Sequence, residues 1–191
     1  MPMKRPYPGF SLTEVLVVVA ILGVLSGLVI DAGNRDWRRE QVNAVVVELA
    51  GWLESVRRAA LKGSSCQVTL FDGTLAAGAV LAQGADVGTT DADSVAAASP
   101  IANNCRSSQP LVIPSLGTSQ RFQVVTTAGS FVFTPAGTLF PAPAANAPIV
   151  IEVSLADGQD PLRCVQLEGL MGLIQVGRLN AGHCDTASDR I

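Results

Sequence analysis

Three patterns of apolar and polar positions follow one another along the chain. From Phe10 to Ile30 the residues are apolar or small in every direction, and Glu14 is the one charge. As a helix at ~1.5 Å per residue this run spans roughly 31 Å, close to the ~30 Å hydrocarbon core of a bilayer. The spacing then changes. Val42, Val45, Val46, Leu49, Trp52, Leu53, Val56, Ala60 and Leu61 recur at steps of three and four, the signature of one apolar helical face. Arg38, Arg39, Glu48, Glu54, Arg57 and Lys62 are assigned to the other face. No proline interrupts residues 10–62, and Gly63 supplies a stop. The pattern predicts one helix of about fifty residues. Its first half, 10–30, is bilayer-embedded and its second half, 31–62, amphipathic. Gly23, Gly27 and Gly33 are its soft points.

After Gly63 the period becomes two. "CQVTLFD" opens the series, and "RFQVVT" places Phe122, Val124 and Thr126 on one face. "SFVFTPAGTLF" aligns Phe131 with Phe133 and turns through Pro135, Ala136 and Gly137. "PIVIEVSL" alternates Ile149, Ile151, Val153 and Leu155 against Val150, Glu152 and Ser154. "RCVQLEGLMGLIQVGR" reads as a hairpin with Val165 and Leu167 facing Ile174 and Val176. A long helix followed by antiparallel strands is an α+β arrangement, and the stripe from Val42 to Leu61 is expected to lie on the sheet. Residues 81–104 are small, polar and weakly periodic, so a loop is expected at about 81–109. Asp86, Asp91 and Asp93 within it lack the glycine and distal glutamate of a calcium loop and read as solvated acids.

Composition sharpens this picture. The chain is 48% hydrophobic and 15% charged, which is apolar for a soluble domain and directs attention to the first segment as an anchor. The net charge is −3, so the chain has no overall basic character for nucleic acid or anionic lipid, and any such contact needs a local patch. Lys4 and Arg5 precede the apolar run without an acid, which keeps the short N-terminal side cytoplasmic. A cleaved secretory signal would end after ~7–15 apolar residues, whereas this run is longer and continues as helix. The four cysteines form no closely spaced pair, and there is one histidine, His183, so zinc is disfavoured. An even count suits two disulfides in an oxidising compartment, and four cysteines allow three pairings. No nucleophile, phosphate-binding or metal motif occurs, so no catalytic residue or cofactor is expected.

"G-F-S-L-T-E", residues 9–14, before an apolar run and after a basic leader, resembles the processing site of type IV pilins and type II secretion pseudopilins. The resemblance implies that a membrane peptidase and methyltransferase cuts after Gly9, removes the leader 1–9 and methylates Phe10. It also implies that Glu14 is an assembly residue. The amine freed on Phe10 would sit in an apolar bundle and need an anion, and Glu14 of a neighbouring helix would supply it. The helix-kinking proline common in that family is absent.

Most of the chain outside 81–109, from the end of the helix through the β-rich 63–191 domain, also resembles the GspH/FimT family of minor pseudopilins and minor pilins, through "LAGWLESVRRAALKGSSCQVTL", "FVFTPAGTL" and "RCVQLEGLMGLIQVGR". This implies a non-catalytic subunit, anchored in the inner membrane with a periplasmic C-terminal domain. It would help to start or cap a type IV pilus or a type II secretion pseudopilus, with other pilin-like subunits as partners. Pairing the cysteines by position joins Cys164 to Cys184 and Cys66 to Cys105, with four free thiols as the alternative. Some FimT-type pilins bind DNA through a basic GRxR motif. Here the corresponding stretch is "GRLN", Gly177 to Asn180, leaving Arg178 and Arg190 as the available cations. So few phosphate contacts disfavour nucleic acid as a partner.

Overall fold

The computed structural model describes residues 11–87, 105, 109–115, 120–143, 147–157, 161–180 and 182–186, and within the helix it omits the side chains of 26–32, 34 and 35. Helix α1 runs without a break from Leu12 to Ala60, 49 residues. It stops where Gly63, at φ +110°, takes a conformation that other residues resist, and its amide donates to the Ala60 carbonyl at 3.0 Å. Arg57 and Arg58 occupy the last turn, where the exposed carbonyls favour cations, and both reach Glu54 one turn back. Among the described residues no helical stretch is long and apolar enough to cross a membrane. The span expected at 10–30 includes Phe10 and residues 26–30, which lie outside the described side chains.

The chain divides into two compact units, 1–38 and 39–191. In the second, eleven strands follow the helix. They are β1 (Ser65–Leu70), β2 (Gly73–Ala76), β3 (Val80–Val87), β4 (Leu111–Val112), β5 (Arg121–Thr126), β6 (Ser130–Phe133), β7 (Leu139–Phe140), β8 (Ile149–Leu155), β9 (Arg163–Glu168), β10 (Leu173–Asn180) and β11 (His183–Asp185). They form two antiparallel sheets, ordered β4-β3-β1-β6-β7 and β11-β10-β9-β8-β5-β2. The expected hairpin has the expected register: Val165 faces Val176 and Leu167 faces Ile174.

One boundary needs correction. Residues 81–87 are not loop but most of β3, paired along its length with β1 from Ser65↔Val87 to Leu70↔Ala82. The side-chain alternation in "LAQGADV" is faint, yet β1 presents unpaired backbone groups that a neighbouring strand must satisfy.

One hydrophobic core joins the second part of the helix to both sheets. Val42, Val45, Val46, Leu49, Trp52, Leu53, Val56 and Ala60 are buried with Phe131 and Phe133 of one sheet and Phe122, Ile151, Val153 and Leu167 of the other. The two phenylalanine rings meet edge to face at 5.5 Å. Trp52 satisfies its indole N–H by donating to the Gln109 carbonyl at 3.1 Å. Leu61 departs from the expected stripe: it lies beyond the helix end and is 55% exposed. It sits beside the Gly137 turn, where a Cβ would come within 3.0 Å of its Cδ2.

Candidate functional site

The start of α1 is built by its own sequence. Ser11 stands immediately before the first helical residue, and its Oγ and carbonyl oxygen both accept from the Glu14 amide, at 3.3 and 3.1 Å. Serine before the helix and glutamate three positions on have the spacing of a capping box, in which side chains take up the first free N–H groups. Glu14 also lies in the first turn, where a carboxylate complements the helix dipole. Glu14, the residue expected to act in assembly, thus also stands where a carboxylate can favour the start of its own helix. The S-x-x-E spacing was the available signal for it.

Beyond Glu14 the helix is apolar and bare. Leu12, Val15, Leu16, Val17, Val18, Val19, Ile21, Leu22, Val24 and Leu25 are each at least half exposed, from 50% to 81%. Leu12, Val15, Leu16 and Val19, at helical spacing, line a shallow apolar groove. A contiguous apolar surface of this extent marks a membrane or protein contact. Gly9 and Phe10, the expected processing step, lie outside the described residues.

The cysteines form two bridges, Cys66–Cys105 and Cys164–Cys184, with Cα separations of 5.3 and 5.9 Å. The first pins the segment at Cys105 to β1, the second pins β11 to β9. Cys66, Cys105 and Cys164 are fully buried. Gly177 lies opposite Cys164. A Cβ there would fall 2.5 Å from the Asp185 carbonyl oxygen, so β10 and β11 approach as closely as only glycine allows.

Arg178 is brought to other cations rather than left alone. In the β9–β10 register it lies directly opposite Arg163, and in the β10–β11 register opposite Asp185. Arg163 shares strand parity with the buried Val165 and Leu167, so it closes one end of the inner face. Arg39, three and seven residues before Val42 and Val46, is exposed, as expected of the charged face of the helix. Arg39, Arg163 and Arg178 together line one cavity of about 280 Å³, completed by Pro161, Leu162 and Leu179. Partial burial first, then the charges of Arg178 and Arg39, hold the Arg163 guanidinium below the usual arginine range. Sequence reading missed Arg163 and Arg39. The hairpin register already implied the first, because pairing Val165 with Val176 sets Arg163 against Arg178.

Of the other residues singled out, Arg190, Asp91 and Asp93 lie outside the described residues, as do the expected leader residues. Asp86 is on β3 opposite Cys66, and His183 is exposed on β11 opposite Asn180. Among the described residues no three His, Cys, Asp or Glu side chains gather into a metal-binding group.

Residues 4–30 match the family described as the prokaryotic N-terminal methylation motif. That motif is the signal of type IV pilin-like subunits, which prepilin peptidase processes and which assemble with other pilins; it points to a structural subunit. No curated protein and no solved structure matches the chain.

Proposed function

We propose that the protein is a minor pilin or pseudopilin, a non-catalytic subunit that helps to start or cap a type IV pilus or a type II secretion pseudopilus. One coincidence carries this reading: the methylation motif at 4–30 covers the start of a helix whose apolar side chains are exposed from Leu12 to Leu25. Cleavage after Gly9 by prepilin peptidase releases the basic leader and leaves an amine on Phe10, which is then methylated. The apolar run holds the precursor in the inner membrane, N-terminus inside, with the disulfide-bonded β unit in the oxidising periplasm. On assembly, the same apolar surface passes from lipid to neighbouring helices.

Glu14 gives the assembly its register. It is costly in a lipid-embedded monomer, and it becomes favourable beside the Phe10 amine of a neighbour, because opposite charges in an apolar bundle are retained only as a pair. The test separates this from the capping role. Glu14→Gln keeps the capping-box residue type and removes the charge, and Glu14→Leu removes both. Both variants should reach the membrane and be processed as the parent is, and both should fail to enter fibres. The measurements are membrane level, the mass of the N-terminal peptide, and fibre content, taken in parallel. Normal fibre entry of Glu14→Gln would refute the pairing role. A mature chain beginning anywhere other than Phe10 would refute the pilin-like processing.

A further inference from the structure

Between the apolar run and the buried stripe of α1 lie ten residues, Asp31 to Glu40, in which Trp37 is the single large apolar side chain. The fold leaves it outside the core. Burial begins at Gln41 and Val42, 2% and 0% exposed, whereas Trp37 is 51% exposed. Asp36, Arg39 and Glu40 beside it are exposed too. The other tryptophan, Trp52, is buried and donates its indole N–H to the Gln109 carbonyl. Two tryptophans on one helix are thus used differently, one in the core and one at the end of the apolar run.

We propose that Trp37 is a membrane-interface anchor, its indole seated among the lipid head groups of the leaflet that the helix leaves after Ile30. The proposal rests on the reading of residues 10–30 as a bilayer anchor. Tryptophan suits that layer because its ring is apolar and its N–H polar, and it concentrates at both faces of membranes. The level fits. Trp37 follows Ile30 on an unbroken helix by roughly 10 Å of rise. Helical side chains lean back toward the N-terminus, which brings the ring into the head-group layer, roughly 5–8 Å deep. Ionic attraction does not account for the placement: Arg35, Arg38 and Arg39 stand against Asp31, Asp36 and Glu40, a formal sum of zero over this stretch. The ring sets the depth. The same unbroken helix carries Glu14 about 35 Å further down, so fixing the level of Trp37 fixes the level at which Glu14 waits for a neighbour.

The full chain carrying Trp52→Phe, which leaves Trp37 as its only tryptophan, is reconstituted into phosphatidylcholine vesicles. The vesicles contain nitroxide lipids labelled either at the head group or deep in the acyl chain. The head-group label is expected to quench Trp37 more strongly than the deep label, and dissolved iodide to quench it less than in the denatured chain. The same order is expected when phosphatidylglycerol is added. A second readout keeps Trp52 in place: a spin label on Val24→Cys should change depth in Trp37→Ala and hold it in Trp37→Tyr, since tyrosine is the other interfacial aromatic. Flotation of the vesicles after an alkaline wash is measured first. A chain that does not float with them refutes the bilayer anchor, and this inference with it. A floating chain whose Trp37 is quenched best by iodide or by the deep label overturns this inference alone. So does a requirement for phosphatidylglycerol, which would give the role to the arginines, or a Val24 label whose depth ignores Trp37→Ala.

Discussion

Changing glycine to alanine at two positions should move stability in opposite directions. Gly177 lies on β10, and an added Cβ would stand 2.5 Å from the Asp185 carbonyl oxygen, 2.8 Å from its carbon and 3.1 Å from the Thr186 nitrogen. All three are backbone atoms, so no side chain can swing aside. Cys164–Cys184 ties this part of β11 to β9, so the strand cannot simply drift away. The pairs Arg178↔Asp185, Leu179↔Cys184 and Asn180↔His183 must stretch to admit the methyl group. Overpacking of this kind costs typically about 1–3 kcal/mol. At ~2–4 °C per kcal/mol for a chain of this size, Gly177→Ala should lower Tm by roughly 2–12 °C.

Gly51 is the internal contrast. It lies on the exposed side of α1, and nothing stands within 4 Å of the position its Cβ would take. Alanine there should stabilise by about 0.5–1 kcal/mol, because it reduces the freedom of the unfolded chain and favours helix. Its Tm should rise by roughly 1–4 °C. The assay is thermal unfolding of the full chain in micelles by far-ultraviolet circular dichroism, with both disulfides verified by peptide mapping. A neutral Gly177→Ala would refute the close approach of β10 and β11. A destabilising Gly51→Ala would refute the open surface on that side of the helix.

Two further outcomes follow from the same geometry. Replacing Cys164 and Cys184 by serine should cost about 3 kcal/mol, and replacing Cys66 and Cys105 about 4 kcal/mol, since the second closes the longer loop; denaturant titration of each double variant checks the order, and equal or reversed losses would count against loop closure as the cause. Trp52→Phe keeps the ring in the core but leaves the Gln109 carbonyl without its indole donor. It should lower stability by about 1 kcal/mol, and an unchanged denaturant midpoint would show that the hydrogen bond contributes nothing net.

Local patterns determined much of this protein directly. The helix from Leu12 to Ala60, its stop at Gly63 and the alternation of Ile149, Ile151, Val153 and Leu155 are all period effects, because side-chain direction repeats within a few residues. The β9–β10 register was legible for the same reason: a tight hairpin and two apolar pairs leave one alignment that buries both strands. The processing signal is likewise local, since a peptidase reads a short stretch and not a fold. Pairing the cysteines by position agrees with the two disulfides, although the sequence itself left three pairings open.

Only the tertiary structure decided the rest. β3 is a strand because β1 needs a partner for its backbone, a demand that "LAQGADV" does not display in its own side chains. Gly177 looks like any strand glycine until β11 folds back against it. Arg39 reads as one more solvated cation on a charged helix, and Arg163 as a polar residue opening a strand. Only the packing of α1 over the β9–β10 hairpin brings them to Arg178, across more than a hundred positions of chain. Periodicity can say which way a side chain points on its own element. Which other side chains it meets depends on how the elements close around the common core, and that is a property of the whole chain.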